Sequence, residues 1–155
     1  MDQHFMAHAI QLAIENVHSN RGGPFAAVIV KDGSIVAEGT NQVTATNDPT
    51  AHAEVMAIRE ACRNLNVFQL HGCGIYTTCE PCPMCLGAIY WAHIARVHFA
   101  TLATDASAFG FDDLLIYREL AQPYSARRIP MIGVMREEAL AAFRAWDEKP
   151  NKVTY

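Results

Sequence analysis

The chain has 155 residues, a net charge of −4, and 51% hydrophobic against 18% charged residues. That length suits one domain, 1–155, with its own core, and the acidic balance disfavours a long phosphate-rich partner, whose affinity rests on Lys and Arg. The first residues lack the basic start and apolar stretch of a secretory leader, and the longest apolar runs (25–30 and 86–92) are too short to span a bilayer. With five cysteines, an odd number, a cytoplasmic protein with free thiols and no membrane contact is expected.

Phe5, Ala9, Leu12, Ala13 and Asn16 recur at helical spacing and predict an amphipathic first helix, closed by Gly22-Gly23-Pro24. Residues 25–31 and 34–38 read as two strands, joined by Asp32-Gly33, a pair suited to a tight turn that needs positive φ at its centre. A polar loop follows over 41–50, with Asp48-Pro49 as its breaker. A second helix is predicted over 51–65, with Val55, Ile58, Cys62 and Leu65 as its buried stripe. Residues 74–79 read as a strand, 82–93 as a helix with Cys82, Cys85, Ile89 and Ala92 on one face, and 95–100 as a further strand. Short helical turns are expected over 101–124, a weak last strand over 130–134, a final helix over 137–146 and a polar tail to Tyr155. After the first hairpin, strands alternate with helices, which favours a layered α/β sandwich around a mixed sheet.

The chemistry concentrates in His52-Ala53-Glu54 and Pro81-Cys82-Pro83-Met84-Cys85. Cys82 and Cys85 stand three apart at a predicted helix start, so their sulfurs share a face where unpaired N–H groups and the helix dipole favour thiolates. His52 and Glu54 open another helix, and side chains of a first turn can flank an object beyond the helix end. Two helix starts are thus expected to converge on one Zn²⁺, held by His52, Cys82 and Cys85. Three protein ligands are the number found in catalytic zinc sites, which leave a position to water. Glu54 would stand beside that water as a base without ligating.

Other readings compete. Cys79 precedes Cys82 by three residues, so a closed structural site of His52, Cys79, Cys82 and Cys85 is an alternative, though it leaves Glu54 idle. A thioredoxin-like Cys82/Cys85 redox pair gives His-x-Glu no role. A zinc module that binds a partner without catalysis is a third alternative.

The order H-x-E then P-C-x-x-C is the signature of zinc nucleobase deaminases. The likeness extends to Gly22-Gly23-Pro24-Phe25, to the run from Asn47 to Glu54, to the run from Thr78 to Ala92, and to Gly110-Phe111-Asp112-Asp113. Together these make the chain resemble bacterial guanine deaminases of the cytidine deaminase fold. The resemblance implies a three-layer α/β/α sandwich with a five-stranded mixed sheet, one Zn²⁺ per chain, and conversion of guanine and water to xanthine and ammonia in purine catabolism. It implies that Glu54 is the proton shuttle, that Asn41 and Asp113 hold the base edge, and that Phe25 and Trp91 wall the flat ring. The choice of Asp113 over Asp112 rests on the resemblance. Backbone N–H groups near Ala53 and Cys82 are expected to assist. The resemblance also implies a homodimer that exchanges a C-terminal segment, about 136–155, so that Tyr155 seals an active site. Guanosine, cytosine, an aminotriazine and a tRNA adenosine are the competing substrates, the last opposed by the acidic surface.

Overall fold

The computed structural model describes residues 3–154, so the expectation for Tyr155 falls outside the described residues. These divide into two compact units, one up to Leu114 and one from Leu115 onward.

The first unit opens with helix α1 (Gln3–His18), followed by strands β1 (Ala26–Lys31) and β2 (Ser34–Thr40). Asp32 and Gly33 have φ of 48° and 75°, the two positive values that the sequence pair was expected to supply. One helical turn, α2 (Val43–Thr46), lies inside the stretch expected to be loop. Then come α3 (Ala53–Leu65), β3 (Gly74–Cys79), α4 (Pro83–Trp91), β4 (Arg96–Thr101) and α5 (Ala103–Ala108). The sheet order is β2-β1-β3-β4; β1 pairs antiparallel with β2 and β3, and β3 pairs parallel with β4. The sheet is mixed, as expected for an α/β fold.

Alternation along the strands divides the core. Ala27, Ile29 and Ile75 pack with Ala53, Ala57 and Ala61 of α3 and with Ile89 and Ala92. Val28, Val30 and Tyr76 pack with Phe5 and Ala9 of α1. Helices therefore cover both faces, and the α3 side is the one that carries the expected ligands.

Two expectations are corrected. Among the described residues the sheet has four strands, not five, and 130–134 form no strand. Pro130 has no N–H to donate and Gly133 has no side chain to pack, so this apolar run lacks what a ladder needs. The buried seam of α3 is Ala53, Glu54, Ala57 and Ala61, while Val55, Ile58, Cys62 and Leu65 are only partly buried. The cause lies in β2. A Cβ on Gly39 would stand 2.2 Å from the Ala53 carbonyl oxygen and 2.4 Å from the Ala57 nitrogen. The helix backbone lies directly on the strand, which leaves room for alanine and for little else.

The second unit contains α6 (Leu114–Leu120, beginning at the boundary), a 3-10 turn (Tyr124–Ala126) and α7 (Arg136–Asp147). Arg127 ties it together by donating to the carbonyls of Leu120 and Gln122 and lying over the Tyr124 ring. No residue of α7 is buried. No helix among the described residues is long and apolar enough to cross a membrane.

Gly39→Ala is expected to force α3 off the sheet and lower stability by about 1–3 kcal/mol, the usual cost of overpacking. Chemical denaturation of the purified variant, read as a shift in midpoint at constant slope, checks this.

Candidate metal centre and active site

Backbone geometry sets the site. His52 is the N-cap of α3 and Cys82 the N-cap of α4; both have extended backbone, and neither uses its side chain to cap its helix. Their side chains are therefore released from the usual capping task. Pro83, at the first position of α4, suits a helix start because its missing N–H would be unpaired there anyway. Cys85 follows one turn later and is fully buried.

These two helix starts meet. The ligand atoms of His52, Cys82 and Cys85 all lie within 4.8 Å of one another. His52 Nδ1 is 3.6 Å from Cys82 Sγ and 3.5 Å from Cys85 Sγ. Ligands at roughly 2.3 Å (sulfur) and 2.05 Å (nitrogen) from a tetrahedral zinc stand about 3.6 Å apart. The nitrogen-to-sulfur edges thus already have the size of a zinc tetrahedron. Burial beside thiols suits a borderline-soft ion better than a hard one. The charge state agrees: the Cys82 thiol is drawn down to about 4, first by the hydrogen bond with Cys85 and then by the His52 ring. Its partner Cys85 is pushed up, by that same bond and then by burial, so the two thiols share a proton as a pair. His52 is raised, chiefly by its hydrogen bond with Cys82.

Cys79 does not join the group. Its thiol donates to the Leu102 carbonyl at 3.7 Å, which disfavours the closed four-ligand reading.

Glu54, in the first turn of α3, is buried, and its Oε1 accepts a hydrogen bond from Thr77 Oγ1 at 3.0 Å. Burial raises its pKa, against the opposing pull of its own backbone N–H, Cys85 and Thr77. Ala53, just before it, is fully buried against β2.

Asn41 lies at the end of β2, buried. Its Oδ1 accepts from Gly23 N and Val43 N, both at 3.3 Å, and its own N–H donates to the Phe25 carbonyl at 3.0 Å. With the amide oxygen bound by backbone, the NH₂ is the end left to serve a ligand. The Phe25 ring meets Phe111 edge-on, with centroids 4.9 Å apart. Asp112 is exposed, whereas Asp113 is half-buried, with an Oδ1 that is sealed from solvent and has no hydrogen-bond partner among the described residues. Burial raises the Asp113 pKa, and the negative charge at Cys82 raises it further, which puts this carboxyl within electrostatic reach of the ligand cluster. Trp91 ends α4 and is 65% exposed.

The structure thus gathers His52, Cys82, Cys85, Glu54 and Asp113, and joins Asn41 to Phe25 through the backbone. Sequence reading missed Asn16, which it placed in the apolar stripe of α1. Asn16 is 2% exposed, and its Nδ2 donates to the carbonyls of Gly23 (3.0 Å) and Asn41 (2.9 Å). It clamps the Gly22-Gly23 turn to the strand end that carries Asn41. A polar residue at a buried helical position was the available signal.

Residues 1–101 match the family described as the cytidine and deoxycytidylate deaminase zinc-binding region. The chain belongs to that family of zinc-binding deaminases. Within this class it is 55% identical over 151 residues to guanine deaminase of Bacillus subtilis (strain 168), covering 97% of each chain. An X-ray structure of guanine deaminase from Bacillus subtilis superimposes with a TM-score of 0.97 at 54% identity, covering 100% of this chain and 99% of that one. A guanine deaminase structure from Nitrosomonas europaea gives 0.70 at 30% identity, covering 94% and 84%. The tRNA-specific adenosine deaminase of Bacillus subtilis (strain 168) is 32% identical over 145 residues, 92% of this chain and 88% of its own.

One zinc per chain is expected by elemental analysis. Cys85→Ala should purify with markedly less than that, whereas Cys79→Ala should keep its full complement. Zinc lost from the Cys79 variant as well would restore the closed site.

Proposed function

We propose that the chain catalyses the hydrolytic deamination of guanine to xanthine and ammonia, in cytoplasmic purine catabolism. The observation that carries this is the 55% identity with the Bacillus subtilis guanine deaminase along 97% of both chains. The adenosine deaminase of the same organism is far less similar, at 32%, and the net charge of −4 fits a small base better than a polyanion.

His52, Cys82 and Cys85 hold the metal in this reading. Zinc bound there supplies a Lewis acid that brings the pKa of water down towards about 7. Glu54 accepts a proton from the attacking water, whose oxygen bonds to C2 of the base. The carboxyl delivers that proton to a ring nitrogen, takes a second one from the new C2 hydroxyl and passes it to the amino group, which leaves as ammonia as the C–N bond breaks and the C2 carbonyl forms. Burial suits Glu54 to this work, because a carboxyl whose pKa is raised is a stronger base towards water. Asn41 offers its NH₂ to an acceptor on the base edge. Asp113 Oδ1, buried and unpaired in the protein, offers an acceptor to the N–H groups of the same edge. Phe25 and Trp91 are the aromatic walls, and stacking of a base on such a ring contributes about 1–3 kcal/mol. Backbone N–H groups of the first turns, near Ala53 and Cys82, aid the developing negative charge.

The active species in this reading is a homodimer that exchanges the C-terminal segment, about 136–155, with Tyr155 closing a site. Support comes from the second unit itself, where Ile129, Ile132, Val134 and Phe143 are each more than 70% exposed. Apolar surface of that extent in a unit whose last helix buries nothing suits coverage by a second copy.

Ammonia release from guanine, guanosine, adenine, cytosine, ammeline and a tRNA anticodon stem should be greatest for guanine; a stronger response to the tRNA would reassign the substrate. Glu54→Ala should retain zinc while turnover falls by about 10²–10⁴-fold, the usual contribution of general acid–base catalysis. Deleting residues 149–155 should reduce activity and shift the sedimentation profile towards monomer; unchanged kinetics would remove the tail from the site.

A further inference from the structure

Thr77 lies in the middle of β3, paired by its backbone with Ala27 on one side and Phe99 on the other. Strand pairing and propensity are served equally well by valine here. The neighbours on its face, Ala27 and Ile75, are apolar and fully buried, and Thr77 itself is 1% exposed. A hydroxyl in such a place costs stability unless it finds a partner. It finds Glu54 Oε1, at 3.0 Å.

The direction of that bond matters. Thr77 Oγ1–H donates to Oε1, which makes that oxygen the less basic of the two and leaves Oε2 the favoured seat for a proton. The bond also ties the end of a flexible side chain on α3 to a rigid central strand, which limits the rotation of the carboxyl plane. From these contacts we propose that Thr77 is a positioning residue of the reaction: it fixes Glu54 so that a single oxygen, Oε2, carries each proton between water and base. The inference rests on the assignment of Glu54 as proton carrier, and goes beyond it by specifying which oxygen acts and what aims it. The strand residue acts through Glu54, so its effect falls on proton transfer rather than on binding.

Thr77→Val removes the donor at nearly constant shape, and Thr77→Ser restores it with a smaller side chain. Steady-state kinetics on guanine with the zinc-loaded, full-length protein should show kcat for Thr77→Val lowered about ten- to hundredfold, the equilibrium worth of one hydrogen bond to a charged group. KM should stay within about twofold, because substrate binding is not involved. Zinc per chain should be unchanged, and Thr77→Ser should recover most of the lost kcat. If Thr77→Val does not fold, Thr77→Ala removes the same donor and should show the same split. A donor-less variant with undiminished kcat would overturn the proposal, as would equal losses in Val and Ser, which would mark a packing role. Glu54→Gln separates the two readings. If that variant is inactive while Thr77→Val is fully active, only the positioning role fails; if Glu54→Gln turns over normally, the proton-carrier assignment itself fails.

Discussion

Two helices begin at the same place, and the rest of the site follows from that convergence. The N-cap residues of α3 and α4 are themselves ligand-type side chains, His52 and Cys82, and neither caps its own helix. Each helix start carries roughly half a positive charge from unpaired N–H groups. Two such ends facing one point would repel each other unless negative charge stood between them. Cys82 and Cys85 provide it as a pair, with the Cys82 thiol held down to about 4. Once both thiolates are offset by a divalent ion and His52 stays neutral, the carboxyls of Glu54 and Asp113, both raised in pKa by burial, are the acids left in the cluster. The two helix ends together supply about one opposing charge. A buried carboxylate beside this cluster is thus tolerable for the same reason that the thiolates are.

The helices can meet there only because the sheet lets one of them come close. At Gly39 the backbones of β2 and α3 approach to distances at which no side chain fits. This determines the depth of His52 and Glu54 relative to β3, and hence that Glu54 reaches Thr77. Just past the end of β2, the Gly22-Gly23 turn does similar work for Asn41: a Cβ on Gly22 would stand 2.1 Å from the Asn41 carbonyl oxygen. The groups proposed for catalysis and binding therefore sit on strand ends and helix starts rather than on free loops. Sites held this way are positioned by packing before any ligand arrives.

How much of this was legible in the sequence depended on what each residue does. The metal ligands could be read because histidine and cysteine at short spacing have few other uses, and helix-start chemistry explained why they converge. Asp32-Gly33 could be read because its turn demands positive φ. The alanine seam of α3 could not, since it results from a glycine fourteen residues before Ala53 on another element. Nor could the roles of Asn16 and Thr77, which look like ordinary members of a helix stripe and a strand; only the carbonyls and the carboxylate they face reveal them. Asp113 was set apart from Asp112 by the resemblance alone; the difference in burial between them is not encoded in the local sequence.

The missing fifth strand belongs to a different category. Residues 130–134 have the composition of a strand apart from Pro130 and Gly133, but a strand is a property of a pair, and its N–H and C=O groups gain only when an edge accepts them. In the second unit, apolar side chains at Ile129, Ile132 and Val134 stay exposed, so the run keeps its hydrophobicity without the ladder that would use it. Such a segment costs solubility when alone and gains from whatever covers it. Coverage by another surface would give its apolar side chains a use.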